Sequence, residues 1–279
     1  MRILVAIAGL THSQLVLKMI AQIAPLTSEP PALLQVASRP EEESAVRVIL
    51  ERAVALVTSE APQLQLRPLI RVGPAAQEIV QEAVEGYYDL IVVGDREQSD
   101  VMGHISLGST TEQVVDMAPC PVLIARGRIT PFRHILVSNS DTHNLPLLNC
   151  LAAQLSDLFR PAWDITLLHV LGYVDTGVDR SDDDAAAAVE EAAQELAREV
   201  VFNRGVQVLE RLSRPVYPKV RHGLVAEEVV AESRSGDYQL VVIGTQCGDH
   251  WRHTLLDDLA HQIIARAECP VLVACPGRA

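Results

Sequence analysis

Asp89-Leu-Ile-Val-Val-Gly94, a polar stretch to Gly108-Ser109-Thr110, and the run Ala118-Pro-Cys-Pro121-Val-Leu together decide how this chain is read. Leu90 to Val93 is short, apolar and rich in β-branched residues, as a strand buried on both faces should be. Such a strand, ending in glycine and feeding a helix start through a glycine-containing loop, makes a place for phosphate. Glycine lets backbone come close, and the helix N-terminus aims free N–H groups at the charge. The same frame returns as Gln239-Leu-Val-Val-Ile-Gly244 and Glu268-Cys-Pro270-Val-Leu.

Upstream of this passage the pattern alternates. Strands are predicted at Ile3 to Ile7, Leu33 to Ala37 and Leu64 to Val72, with helices over Ser13 to Ile23, Glu41 to Ser59 and Pro74 to Val84. Gly86 lies just past the last of these helices, where a stop is expected. Downstream come a helix over Ser109 to Met117 and a strand over Val122 to Ala125. Ser109-x-x-Glu112 has the form of a capping box.

Then the order restarts. Ile135-Leu-Val echoes Ile3-Leu-Val, followed by a helix over Leu145 to Phe159, a strand over Ile165 to Val170 and an alanine-rich helix over Asp182 to Phe202. A strand over Val216 to Val220 and a helix over Leu224 to Ser233 complete the frame. Gly73 to Gly94 aligns without a gap on Gly223 to Gly244, placing Glu78 on Glu228, Gly86 on Gly236 and Tyr88 on Tyr238. That is a duplication. The expected domains are residues 1–128 and 133–279, each with strands alternating with helices and a parallel sheet covered on both faces.

Composition agrees. Of 279 residues, 48% are apolar and 21% charged, which excludes wholesale disorder. There are 10 basic and 15 acidic residues through Arg128, and 13 and 21 beyond it, so neither half offers a basic face for nucleic acid. Five scattered cysteines without a Cys-x-x-Cys pair suit a reducing compartment and give no zinc signature. No apolar stretch reaches the roughly 18 residues of a membrane span. The expectation is a cytoplasmic protein without membrane contact.

These residues, in this order and spacing, resemble the universal stress protein family in its tandem two-domain form. The carriers are Ile3-Leu-Val-Ala-Ile, Asp89 to Gly94, Gly108-Ser109 and Ala118 to Leu123, with Ile135-Leu-Val, Leu240 to Gly244 and Cys269-Pro-Val-Leu in the second half. The resemblance implies two tandem open five-stranded parallel sheets of strand order 3-2-1-4-5, a Rossmann-like α/β architecture of the adenine-nucleotide α-hydrolase type. It also implies an internal pseudo-dimer through strand five of each repeat; a homodimer of whole chains is a further alternative. In the family's ATP-binding branch the nucleotide lies over the carboxyl ends of strands one and four. Carried over residue by residue, the nucleotide-binding candidates in repeat 1 are Ala8, Gly9, Val36, Gly94, Arg96, Gly108, Ser109 and Thr110, with ATP and Mg²⁺ as the implied ligand.

The sequence departs from that branch. Glu97 stands where its second glycine belongs, ten residues rather than nine precede Gly108, and Ala8 replaces the aspartate after strand one. In repeat 2, Gly244 is followed by Thr-Gln-Cys-Gly248, Asp257-Asp258 replaces Gly-Ser, and Ser140 stands at the strand-one position. Two carboxylates there repel a triphosphate. The expectation is therefore a stress-response or regulatory module without turnover, degenerate in ATP binding, acting through an unidentified protein partner. The alternatives are an adenine-nucleotide-binding repeat 1 and a weak nucleotide hydrolase.

No catalytic or metal-binding residue is assigned. His12 and His104 read as loop or surface residues, His250, His253 and His261 with Cys247 and Cys269 lack the tight spacing of a zinc site, and Cys120 and Cys269 read as small core residues. No nucleophile elbow, Walker loop or pyrophosphatase loop is present.

Overall fold

The structure is a computed structural model that describes residues 1–27, 29–95, 98–99, 105–139, 145–159, 163–171, 199–200, 202–212, 215–244 and 258–274. The predicted helix over Asp182 to Phe202 lies almost wholly outside the described residues, as do Arg96, Glu97, His104, Ser140, His250, His253 and Asp257.

Repeat 1 contributes β1 (Ile3–Ile7), α1 (Gln14–Ile23), β2 (Ala32–Ala37), α2 (Glu43–Glu60), β3 (Arg67–Val72), α3 (Ala75–Glu85) and β4 (Leu90–Gly94). A two-stranded hairpin, β5 (Gln98–Ser99) and β6 (Ile105–Ser106), follows, then α4 (Ser109–Met117) and β7 (Val122–Ala125). The polar stretch after Gly94 thus holds a hairpin, which strands of two residues are too short to announce. Repeat 2 contributes β8 (His134–Asn139), α5 (Leu145–Gln154), β9 (Asp164–Leu171), β10 (Val216–His222) and a helix at Val225–Ser235. Then come β11 (Leu240–Gly244), a helix at Asp258–Arg266 and β12 (Val271–Ala274). The predicted helix over Leu145 to Phe159 ends early, its last turn tightening into a 3₁₀ turn at Ser156–Leu158.

Alternation within the strands explains the layers. Ile3, Val5 and Ile7 face a core shared with α1 and α2, whereas Leu4 and Ala6 face one shared with α3 and α4. Each half has the order 3-2-1-4-5, and all its pairings are parallel. The halves do not remain separate sheets. β7 pairs antiparallel with β12, matching Leu123 with Leu272, so ten strands run as β10-β9-β8-β11-β12-β7-β4-β1-β2-β3. The outer strands β3 and β10 carry Pro68 and Pro218 at equivalent positions, where a missing N–H discourages further strand addition.

The helix stop at Gly86 works differently from the expectation. Tyr87, not Gly86, is in the left-handed region, at φ 50. Its N–H donates to the Val84 carbonyl at 3.3 Å and that of Tyr88 to Ala83 at 3.2 Å, the two bonds of a Schellman cap. Gly86 is needed for another reason: a Cβ there lies 2.2 Å from the Tyr88 ring, and Gly236 meets Tyr238 at the same 2.2 Å. Tyr87→Gly should therefore raise stability by about 1 kcal/mol, read as the shift of the urea midpoint. No change would show that the exposed ring compensates for the backbone strain.

Candidate functional site

The switch point of repeat 1 is the place where β1 sends its chain to β2 on one side and β4 lies on the other. Over the carboxyl ends of these strands lies a cavity of about 270 Å³. Ala6, Ile7 and Ala8 reach it from β1 and its exit, and Leu34 and Val36 from β2. α3 adds Ala75 and Ile79, β4 adds Val93 and Gly94, and the start of α4 supplies Gly108, Ser109, Thr110 and Thr111. Among the described residues, no carboxylate lines it.

Local chemistry fixes the two loops that frame the cavity. Gly9 turns the chain after β1 at φ +81, and the buried Ser13 hydroxyl accepts the Ala8 N–H at 3.0 Å. Because Ser13 Oγ is used this way it makes no side-chain cap on α1. On the other side, Thr111 Oγ1 donates to the Gly94 carbonyl at 2.7 Å, tying the first turn of α4 to the end of β4.

The capping box does not form. Gly108 is the N-cap of α4, no side chain caps it, and Ser109 is already the first helical residue. The first intrahelical bond runs from the Glu112 N–H to the Gly108 carbonyl at 3.0 Å. The N–H groups of Ser109, Thr110 and Thr111 precede that bond and have no carbonyl a turn earlier to meet. The frame slips by one residue because glycine takes the extended N-cap conformation readily. The hydroxyls of Ser109 and Thr110 are exposed beside the cavity instead of being turned inward as caps.

Of the residues singled out from the sequence, the structure brings Ala8, Val36, Gly94, Gly108, Ser109 and Thr110 to this cavity. Gly9 shapes the adjoining turn without lining it, and Arg96 lies outside the described residues. His12, read as a loop or surface residue, is exposed at the rim, and sequence reasoning missed the apolar wall of Leu34, Ala75, Ile79 and Val93. Nothing in a strand's apolar pattern says which member faces a cavity.

Gly94 has an architectural reason to be glycine. A Cβ there lies 2.9 Å from Val16 Cγ2 of α1, and one on Gly244 lies 2.9 Å from Leu147 Cδ2 of α5. Each repeat lays its first helix against the end of its fourth strand, whether or not phosphate is present. Cys269 is a core residue: it is buried, and burial pushes its thiol up to about 11, far from a reactive thiolate, whereas Cys120 is only partly buried against the same core.

The fold is a tandem doubly wound α/β architecture with a cavity at the switch point of repeat 1. The model of the Universal stress protein family matches residues 1–126 and again 152–274, and the chain belongs to that family in its tandem form. A universal stress protein of Thermus aquaticus is 42% identical over 88 residues, 30% of this chain and 63% of that relative. One from Methanothermobacter thermautotrophicus is 37% identical over 79 residues, 28% of this chain and 53% of the relative. The alignments thus span a little over half the length of these curated relatives. In fold, the chain is similar to a universal stress protein from Archaeoglobus fulgidus, with TM-score 0.68, 18% identity, and coverage of 99% of this chain and 98% of that one. Among the described residues, no helix is long and apolar enough to cross a membrane, and no group of metal-ligating side chains is assembled.

Proposed function

We propose that this protein is a tandem universal stress protein with one ligand site, in repeat 1, which binds an adenine nucleotide without turning it over. The repeats are taken as residues 1–128 and 133–279. The observation that carries the reading is the cavity itself. Leu34, Val36, Ile79 and Val93 give it an apolar wall for a base, and the N–H groups opening α4 give it a positive end for phosphate. Repeat 2 is the partner half: Asp257-Asp258 stands where Gly108-Ser109 stands in repeat 1, and its charge disfavours phosphate. Binding without turnover is supported by the lining, which among the described residues presents hydroxyls, backbone N–H groups and His12 but no carboxylate to activate water.

Thr110→Asp tests this with effects of opposite sign. A carboxylate in the first turn of α4 suits the helix dipole and should leave folding intact or slightly improved. The same charge beside the cavity should weaken ATP or AMP by about tenfold or more, read by calorimetric titration of the full chain with and without Mg²⁺. Unchanged affinity would remove the ligand from this site, and no heat from the wild type at millimolar nucleotide would favour the degenerate module. Phosphate release above the Thr110→Asp background would restore the hydrolase alternative.

A further inference from the structure

The chain Gly108–Asp95–Arg126–Ala265 crosses from the candidate site into the other repeat. Asp95 follows the last residue of β4; its N–H donates to the Ala125 carbonyl at 3.2 Å, and its Oδ1 accepts the Gly108 N–H at 3.4 Å. Its Oδ2 lies 3.6 Å from Arg126 Nη2, with the two side chains only 1% and 3% exposed. Arg126 Nη2 in turn donates to the Ala265 carbonyl at 3.0 Å, from a position 139 residues earlier in the chain.

Ala265 stands in the last turn of the helix Asp258–Arg266, where carbonyls have no intrahelical donor and the helix dipole is negative. Arg126 supplies both the donor and the positive charge that this end requires. The helix begins at Asp258, one of the two residues in repeat 2 that replace the Gly108-Ser109 of repeat 1.

The arrangement occurs in one direction. Gly94 pairs with Ala125 in β4·β7 as Gly244 pairs with Ala274 in β11·β12, so the residues corresponding to Asp95 and Arg126 are Thr245 and Cys275. Neither carries a charge pair. The duplication has kept the register, and at these positions only the sequence of repeat 1 supplies a charge pair, whose arginine donates to a backbone carbonyl of repeat 2.

We propose that Asp95 and Arg126 are positioning residues through which the helix Asp258–Arg266 of repeat 2 holds the Gly108 turn in its binding geometry, so that repeat 2 sets the affinity of the site in repeat 1. The affinity clause rests on the ligand reading above; the positioning clause does not. Asp95 fixes the N-cap of α4, and Arg126 fixes Asp95 while anchored to a carbonyl that belongs to another core element. The ion pair at 3.6 Å is shielded from water and holds Asp95 by charge, and the backbone it positions is that of Gly108 and the three residues after it.

The test is hydrogen–deuterium exchange of the full nucleotide-free chain, comparing wild type with Arg126→Met and Arg126→Lys. Arg126→Met should speed exchange at residues 108–111 about tenfold, the change that loss of one charge-assisted bond corresponds to, while amides of β1 stay protected. Arg126→Lys, which keeps the charge beside Asp95, should restore part of the protection. Where a lone buried carboxylate unfolds the single variant, Asp95→Asn/Arg126→Met removes both charges and keeps an acceptor for the Gly108 N–H. Exchange at residues 108–111 that is unchanged in both the single and double variants, or raised only in step with global unfolding, overturns the positioning role.

Titration with ATP supplies the second arm. Arg126→Met should weaken ATP about tenfold, and by reciprocity ATP should slow exchange at residues 265–268 of the wild type but not of the variant. Wild-type protein that takes up no ATP while its 108–111 amides still respond to Arg126→Met sinks the ligand reading and leaves the link standing. Wild-type protein that binds ATP with no effect at 265–268 sinks the coupling and leaves the ligand reading standing.

Discussion

Glu232→Ala is expected to lower the unfolding free energy by about 3 kcal/mol, far more than alanine at an ordinary helix position. Glu232 is buried at the face where the helix Val225–Ser235 covers the outer strand β10. Its Oε1 accepts from Lys219 Nζ at 2.8 Å and from the Tyr238 hydroxyl at 2.7 Å, and its Oε2 accepts from Arg221 Nε at 2.8 Å. Removing the carboxylate leaves Lys219 without its counter-charge and Tyr238 without its acceptor. The cost falls at the low end of the range for buried pairs because Lys219 is half-exposed and Arg221 keeps Glu228 at 2.8 Å.

The same cluster gives a pH dependence. Burial pushes the Glu232 carboxyl up, but the bonds from Lys219, Tyr238 and Arg221 outweigh it and hold the group below its ordinary value. A carboxylate depressed in the folded state contributes stability that is present above its unfolded value and lost as pH falls through the folded one. The stability difference between wild type and Glu232→Gln should therefore be constant near neutrality and shrink below about pH 4. A difference that grows on acidification would show that burial dominates and would reverse the assignment. Repeat 1 spreads the same role over more exposed partners, with Arg71 reaching Glu78, Glu82 and Glu85. Alanine at Glu82 should accordingly cost less than alanine at Glu232.

Gly127→Ala is the second large effect, expected at about 3 kcal/mol from backbone strain and overlap together. Gly127 follows β7 at φ +56, and a Cβ there falls 2.0 Å from the Glu268 carbonyl oxygen of repeat 2. The adjacent Arg128 N–H donates to that same oxygen at 2.9 Å, so the residue cannot move away without breaking the seam. Gly9→Ala is the control: φ is +81 but the space around it is open, so only the strain of about 1 kcal/mol remains. Urea unfolding should show a larger loss for Gly127→Ala, with separate transitions for the two halves. Equal losses at the two glycines would mean that the seam yields to the methyl group.

Much of this architecture was legible in the chain. β1, α4, β7 and β12 fall where the apolar runs and helical spacing put them, because strands buried on both faces leave an unbroken signal. The duplication was legible through Glu78 and Glu228, though not its reason. Each glutamate packs against the glycine five residues before it, with a Cβ on Gly73 or Gly223 falling 2.6 or 2.9 Å from the carboxylate, and each binds the arginine of the neighbouring strand.

The site was harder to read. Gly94 and Gly244 look alike because both admit a helix against a strand, a requirement that precedes any ligand. The capping box at Ser109 is a sequence pattern that glycine displaced by one residue. Asp95 and Arg126 carry no motif, since a buried pair formed across 31 positions is visible only once β4 and β7 lie side by side.

The antiparallel pairing of β7 with β12 has a consequence for divergence. Were the same seam to join two identical chains, it would come apart on dilution, and every substitution would be imposed on both sides of it at once. Here the two halves are tethered, so their encounter is first-order and independent of protein concentration. Freed from being copies, one half can carry Arg126, which reaches the Ala265 carbonyl, while the corresponding position of the other half is Cys275. Asp257-Asp258 opposite Gly108-Ser109 is the kind of difference that only a covalent joining allows to accumulate.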